Sequence, residues 1–310
     1  MSSVNPTAPG VGLAHGSTPR PGDDGRPFGA HIQMTWWKSL VIIAAIPLTL
    51  FVSQLGLSML AGLVEDGDPL ESTLTPMKLL AANLGTGLTA LLAVVLLTRF
   101  SQVPWRSVFS SPRRFDPRRL ATSFAGSVVL VGAGIALVAV AAPDATGWVG
   151  FGISGTTVAL LAVVVFSTPI QSAGEEIMFR GAVLPAVGSW FHAVRPAFIT
   201  GLVVSSLSFA VVHAASHPWL FGYYVFLSAC TALMGLITRG LEAAMAFHIA
   251  NNVVATTINA LLAGGGTLVV DRTGGGGGGG GPELIVPAVV NLGVLAFVWH
   301  HERARRTDAE

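Results

Sequence analysis

Three polar clusters interrupt the apolar stretches of this 310-residue chain, and their residue types suit acid–base chemistry. The first is Gly174-Glu175-Glu176-Ile177-Met178-Phe179-Arg180. On a helix Glu176 and Arg180 stand four apart with the acid first, the favourable order for an ion pair, while Glu175 points about 100° away. Pairing keeps one carboxylate ionised and leaves its neighbour free to be tuned by burial as a base. A solvated interfacial salt bridge would read the same way. The second cluster is Phe209-Ala210-Val211-Val212-His213, whose imidazole could bind a metal, shuttle a proton or hold a water, or simply mark a helix end. His217 completes an H-x-x-x-H spacing, but Pro218 biases it away from helical geometry, which spoils the metal pair. In the third, His248-Ile249-Ala250-Asn251-Asn252, His248 and Asn252 share a helix face. They could offer donors to one developing oxyanion, or act as glue between helices. Asn251 and Asn259, on other faces, read as glue, and His300-His301 reads as interfacial.

These groups need a scaffold, and the composition says which kind. Hydrophobic residues make up 52% of the chain and Asp, Glu, Lys and Arg 11%, against roughly 25% charged in soluble domains. Mean hydropathy is +0.67. A soluble enzyme, a disordered chain and a collagen-like chain are excluded, and the single Cys230 excludes an intrachain disulfide framework. The near-balanced charge, +1 overall, argues against a nucleic-acid partner. The fold class expected is all-α, a polytopic transmembrane helical bundle in the lipid bilayer. A span needs about 20 apolar residues, and about eight candidates are found: 36–61, 78–98, 120–142, 154–174, 196–213, 219–238, 243–263 and 284–300. Arg20, Arg26, Lys38, the arginines of 99–119, Arg180, Arg195, Arg239, Arg303, Arg305 and Arg306 flank alternate spans. The other loops hold Glu65, Asp66, Asp68, Glu71, Asp144 and Asp271, with only Lys78 and Arg272 as bases. The positive-inside rule then puts both termini in the cytoplasm.

The chain divides into a Pro- and Gly-rich disordered arm (1–35), N-terminal helices (36–142), a core (154–263), a flexible Gly-rich outer loop (264–283) and a last helix with a basic tail (284–310). One tension follows from the boundaries. If span four ends at 174, Glu175 is expected near the inner face and His213, ending span five, near the outer. They meet only if span four starts later, kinks at Pro169, or if 174–194 folds back into the protein.

No G-x-S-x-G or H-E-x-x-H occurs, and Cys230 has no polar helper beside it, so hydrolysis by activated water is favoured over a covalent nucleophile. The order E-E-x-x-x-R, F-x-x-x-H, H-x-x-x-N, at Glu175-Glu176 to Arg180, Phe209 to His213 and His248 to Asn252, resembles the CAAX protease and bacteriocin-processing family (CPBP, or Abi) of intramembrane proteases. The resemblance covers about residues 154–263. It implies a peptidase acting on a membrane-associated peptide or protein, with Glu175 as general base and His213 binding the water or a metal. His248 and Asn252 would hold the oxyanion or complete the metal site. Glu176 with Arg180 would form a supporting ion pair, and Phe209 would pack the helix presenting His213. A Zn2+ or other divalent ion would take Glu175, His213 and His248. The competing readings are a non-catalytic immunity factor or exporter subunit and, with less support because no internal repeat is visible, a proton-coupled carrier. An Ala-, Gly- and Val-rich composition with only two lysines, Lys38 and Lys78, points to a bacterial cell membrane.

Overall fold

In lipid every backbone polar group must be satisfied within the segment, so long apolar runs become helices. The computed structural model describes residues 26–65, 68, 71–269 and 280–307. Eight long helices dominate these residues: α1 (Trp36–Glu65), α2 (Pro76–Ser101), α3 (Pro117–Ala141), α4 (Gly155–Glu176), α6 (Val194–Val212), α7 (Pro218–Thr238), α8 (Glu242–Leu261) and α9 (Ile285–Thr307). The short α5 (Leu184–Gly188) prolongs α4. Start signals are local. The Thr75 hydroxyl accepts from the Lys78 N–H ahead of Pro76, the Asp116 carboxylate accepts from the Arg118 N–H ahead of Pro117, and Ser154 with Thr157 forms a capping box.

Seven helical runs are long and apolar enough to cross a membrane. The exception is α8, read from sequence as span 243–263. It has the length, but Glu242, His248, Asn251, Asn252 and Asn259 lower its hydropathy, and it packs inside the bundle against α3 and α4. An interior helix can carry polar groups that lipid would reject.

Alternation of the ends holds. At one end Arg113 binds Glu242 through two hydrogen bonds, of 2.5 and 2.7 Å, Arg119 binds Glu302, Arg305 binds Asp116 and Arg306 donates to the Ile237 carbonyl. At the other end a two-residue strand, β1 (Thr73–Leu74), pairs antiparallel with β2 (Leu268–Val269), and Trp148 donates its indole N–H to Asn259. The basic loops therefore gather at one end of the bundle.

Two boundaries differ from the sequence reading. Residues 26–35 were expected to belong to the disordered arm, yet Phe28, Ala30, His31 and Ile32 are buried. His31 bonds the Ser107 carbonyl at 2.9 Å, and Arg26 donates to the Phe191 and His192 carbonyls. This strap covers the basic end because Phe28 finds an apolar seat against Leu241 and Met245. The rest of the arm, 1–25, lies outside the described residues, as do 270–279 of the Gly-rich loop. The start of that loop is tied down, with Gly264 donating to the Gly150 carbonyl and Ser154 to the Gly265 carbonyl.

Candidate active site

The tension over depth is resolved by the length of the fourth span. The helical run does not stop at 174 but continues to Gly188, 34 residues in all, passing through a π-helical turn at Ile177–Val183. Residues 178–188 are buried throughout. The lateral position of Gly174 fixes the depth: a Cβ there would meet Ala90 at 3.3 Å and Thr86 at 3.4 Å, near the middle of α2. Glu175 is thus at mid-depth and not at the inner face. On the other side α6 ends beside it, and His213, the residue that closes α6, reaches the same level.

The side chains converge as follows. Glu175 Oε2 lies 3.3 Å from His248 Nε2 and 3.9 Å from His213 Nε2. His248 Nδ1 is 2.7 Å from Glu176 Oε1, and Glu176 Oε2 is 3.3 Å from Arg180 Nε. The Arg180 guanidinium stacks 4.6 Å above the Phe209 ring, a cation–π contact inside a dry interior. His213 is held from three directions. Its Nδ1 is 2.7 Å from the Phe209 carbonyl, and its ring stands 4.3 Å from both the Phe209 and Tyr224 rings. Glu176, Arg180 and Phe209 are almost wholly buried, Glu175 and His248 nearly so, while the His213 side chain remains 20% exposed.

The hydrogen-bond roles follow from the partners. A carbonyl oxygen only accepts, so His213 Nδ1 carries the proton. The Glu176 carboxylate, ion-paired to Arg180, likewise accepts from His248 Nδ1. In the neutral imidazoles both Nε2 atoms are then lone-pair acceptors. Glu175 Oε2 is itself buried without a hydrogen-bond partner. Glu175 Oε2 thus faces the two Nε2 atoms within 3.9 Å, a set that one small donor such as water can bridge.

Of the four residues expected at the centre, Glu175, His213 and His248 meet. Asn252 stands one step back: its amide donates to Gln171 Oε1 at 3.2 Å and to Ser172 Oγ at 3.1 Å. Both amide hydrogens are thereby engaged within the protein. The supporting residues Glu176, Arg180 and Phe209 sit behind the histidines. His217 starts α7 in an extended conformation and so leaves the helical frame of His213, as Pro218 implied. Asn251 and Asn259 do not simply bridge helices. Asn251 donates to Asn252, and with Trp148, Tyr223 and Val131 the two line a cavity of about 260 Å³. Sequence reading missed Gln171 and Tyr224. Gln171 was discoverable, one turn before Glu175 on the same face, whereas Tyr224 gave no signal beyond an aromatic residue in a span.

The donor types suit a metal, since two imidazole nitrogens and a carboxylate oxygen are what zinc takes, and each imidazole donates its other N–H to a second partner, as metal-bound histidines do. Among the described residues no group of three or more His, Cys, Asp or Glu could hold a metal ion. The set carries the chemistry of a metal site without its ligand geometry.

The helical bundle thus holds a buried carboxylate between two imidazoles. Residues 154–254 match the family described as Type II CAAX prenyl endopeptidase Rce1-like. Over this segment the chain is CAAX-protease-like, as its three motifs indicate. No curated protein and no solved structure matches it.

Proposed function

We propose that this protein is an intramembrane endopeptidase that hydrolyses a peptide bond of a membrane-associated peptide or protein with water activated by Glu175. The observation that carries the reading is the unpartnered Glu175 Oε2 aimed at two imidazole lone pairs. A water held there donates to two of the three acceptors and keeps its own lone pair for attack. Glu175 takes one proton as the water oxygen bonds to the scissile carbonyl carbon. The tetrahedral intermediate then breaks its C–N bond, and the Glu175 carboxyl returns that proton to the leaving nitrogen. His213 and His248 orient the water; Glu176 and Arg180 hold the His248 ring, and Phe209 with Tyr224 clamps His213.

The setting proposed is a bacterial cell membrane, with the basic end of the bundle and the buried strap facing the cytoplasm. The test uses protein in proteoliposomes and an internally quenched peptide ending in a prenylated CAAX box, beside a non-prenylated copy that reports whether the lipid is needed. Glu175→Gln is expected to lower turnover by about 10²- to 10⁴-fold while leaving insertion and thermal unfolding unchanged. Full turnover in that variant would remove Glu175 from the role of base.

A further inference from the structure

The Glu175 carboxylate has two oxygens, and the structure treats them differently. Oε1 accepts a hydrogen bond of 2.6 Å from Gln171 Nε2, whereas Oε2 has no hydrogen-bond partner and faces the imidazoles. The Gln171 amide cannot flip without loss. Its Oε1 already accepts from Ser172 Oγ at 3.0 Å and from Asn252 Nδ2 at 3.2 Å, so Nε2 must be the atom turned to Glu175. Ser172 is completely buried, while Gln171 and Asn252 are half-buried.

We infer that Gln171 is the positioning residue of this centre: it ties down one oxygen of Glu175, selects the other as the reacting atom, and is itself oriented by Asn252 and Ser172. Asn252 acts through this chain of amides and does not touch the reacting atoms. The inference rests on the reading of Glu175 as base, and it adds a residue one helical turn before the E-E-x-x-x-R motif. It also accounts for why a carboxamide is needed on α8 at all. An amide linked to another amide transmits orientation, since each has a donor end and an acceptor end that cannot be exchanged.

Infrared difference spectroscopy on proteoliposomes tests this without any substrate. Subtracting Glu175→Gln from wild type isolates the carboxylate stretches of Glu175. Gln171→Met, which keeps length and loses both polar ends, should shift those bands, because the carboxylate loses the hydrogen bond on Oε1. Gln171→Glu keeps the acceptor for Asn252 and Ser172 and serves if the Met variant does not fold. With the quenched CAAX peptide either variant should lose about 10- to 100-fold in kcat with KM nearly unchanged, a split that a merely structural residue would not produce. Bands unmoved in a folded variant, or an unchanged kcat, would overturn the role of Gln171. Full activity in Glu175→Gln would instead overturn the base while the infrared result stood.

Discussion

The Nε2 of His248 lies 3.3 Å from Oε2 of Glu175 while its Nδ1 holds Oε1 of Glu176 at 2.7 Å. One imidazole therefore touches both adjacent carboxylates, through opposite edges, and gives each a different task. The carboxylate on Nδ1 fixes the tautomer and ring orientation; the one on Nε2 is the proposed base. The consequence is an asymmetry between the two histidines. His248→Phe removes both contacts and leaves the Glu176–Arg180 pair short of one partner, so it should abolish turnover and lower the thermal midpoint. His213→Phe, at a residue 20% exposed, should cost turnover by about 10²-fold or more with a smaller change in stability. Equal loss of stability in both variants, measured by thermal unfolding in detergent, would contradict this division.

Outside the spans, Asp116 provides a pH-dependent tie at the basic end. Burial alone would raise its carboxyl. The Arg118 N–H, the Arg305 side chain and the Arg119 backbone and charge lower it more, and the net shift is below the ordinary aspartate value. A carboxyl that is more acidic folded than unfolded contributes stability above its unfolded pKa, and that contribution disappears as pH falls through its folded pKa. The link between the start of α3 and α9 is thus expected to weaken on acidification below the ordinary aspartate range. Asp116→Asn should flatten the acid side of a stability–pH curve. An identical curve for the variant would show that Arg305 and Asp116 are not coupled.

The strap at the basic end makes a stability prediction of its own. Phe28 is 2% exposed and Ile32 fully buried, in a stretch whose Pro and Gly content reads as disordered. Truncating them should behave as core deletion: Phe28→Ala is expected to cost about 3–5 kcal/mol and Ile32→Ala about 2–5 kcal/mol. Chemical unfolding in detergent micelles measures both. Changes within a few tenths of a kcal/mol would mean that the strap is not part of the folded core.

How much of this was legible beforehand differs between fold and site. Span existence was legible for seven of the eight runs because lipid demands long apolar runs, and the gathering of basic loops at one end because arginines mark alternate loops. Span ends were not. After Glu176 the segment Ile177–Val183 continues as a π turn, and nothing in hydropathy separates a helix that leaves the membrane at Arg180 from one that buries that arginine against Phe209. The same blindness left open how Glu175 and His213 reach one level. Within the site, polar residues in apolar spans and the order of three motifs made Glu175, Glu176, Arg180, His213, His248 and Asn252 candidates. It could not tell which of them touch. Asn252 was read as an oxyanion donor, part of a metal site or glue between helices, and only the side-chain contacts reveal that its hydrogens go to Gln171 and Ser172.

The last prediction concerns the buried pair behind the centre. Arg180 and Glu176 are both nearly inaccessible, and the charge of the guanidinium is met by Glu176 at 3.3 Å and by the Phe209 ring. Removing one partner leaves the other charge buried, so Arg180→Met is expected to lose about 3–5 kcal/mol of stability. Replacing both at once, Arg180→Met with Glu176→Leu, removes both charges and should recover most of that loss, a strong departure from additivity. Activity should not recover with it. His248 then has no acceptor for its Nδ1 proton, its ring is free to turn, and turnover stays about 10- to 100-fold down, the scale of loss when the partner that orients a metal-bound histidine is removed. Stability is read by chemical unfolding and turnover by cleavage of the quenched peptide. A double variant that is stable and fully active would mean that Glu176 and Arg180 only fill space; one that is stable and slow ties the pair to the orientation of His248.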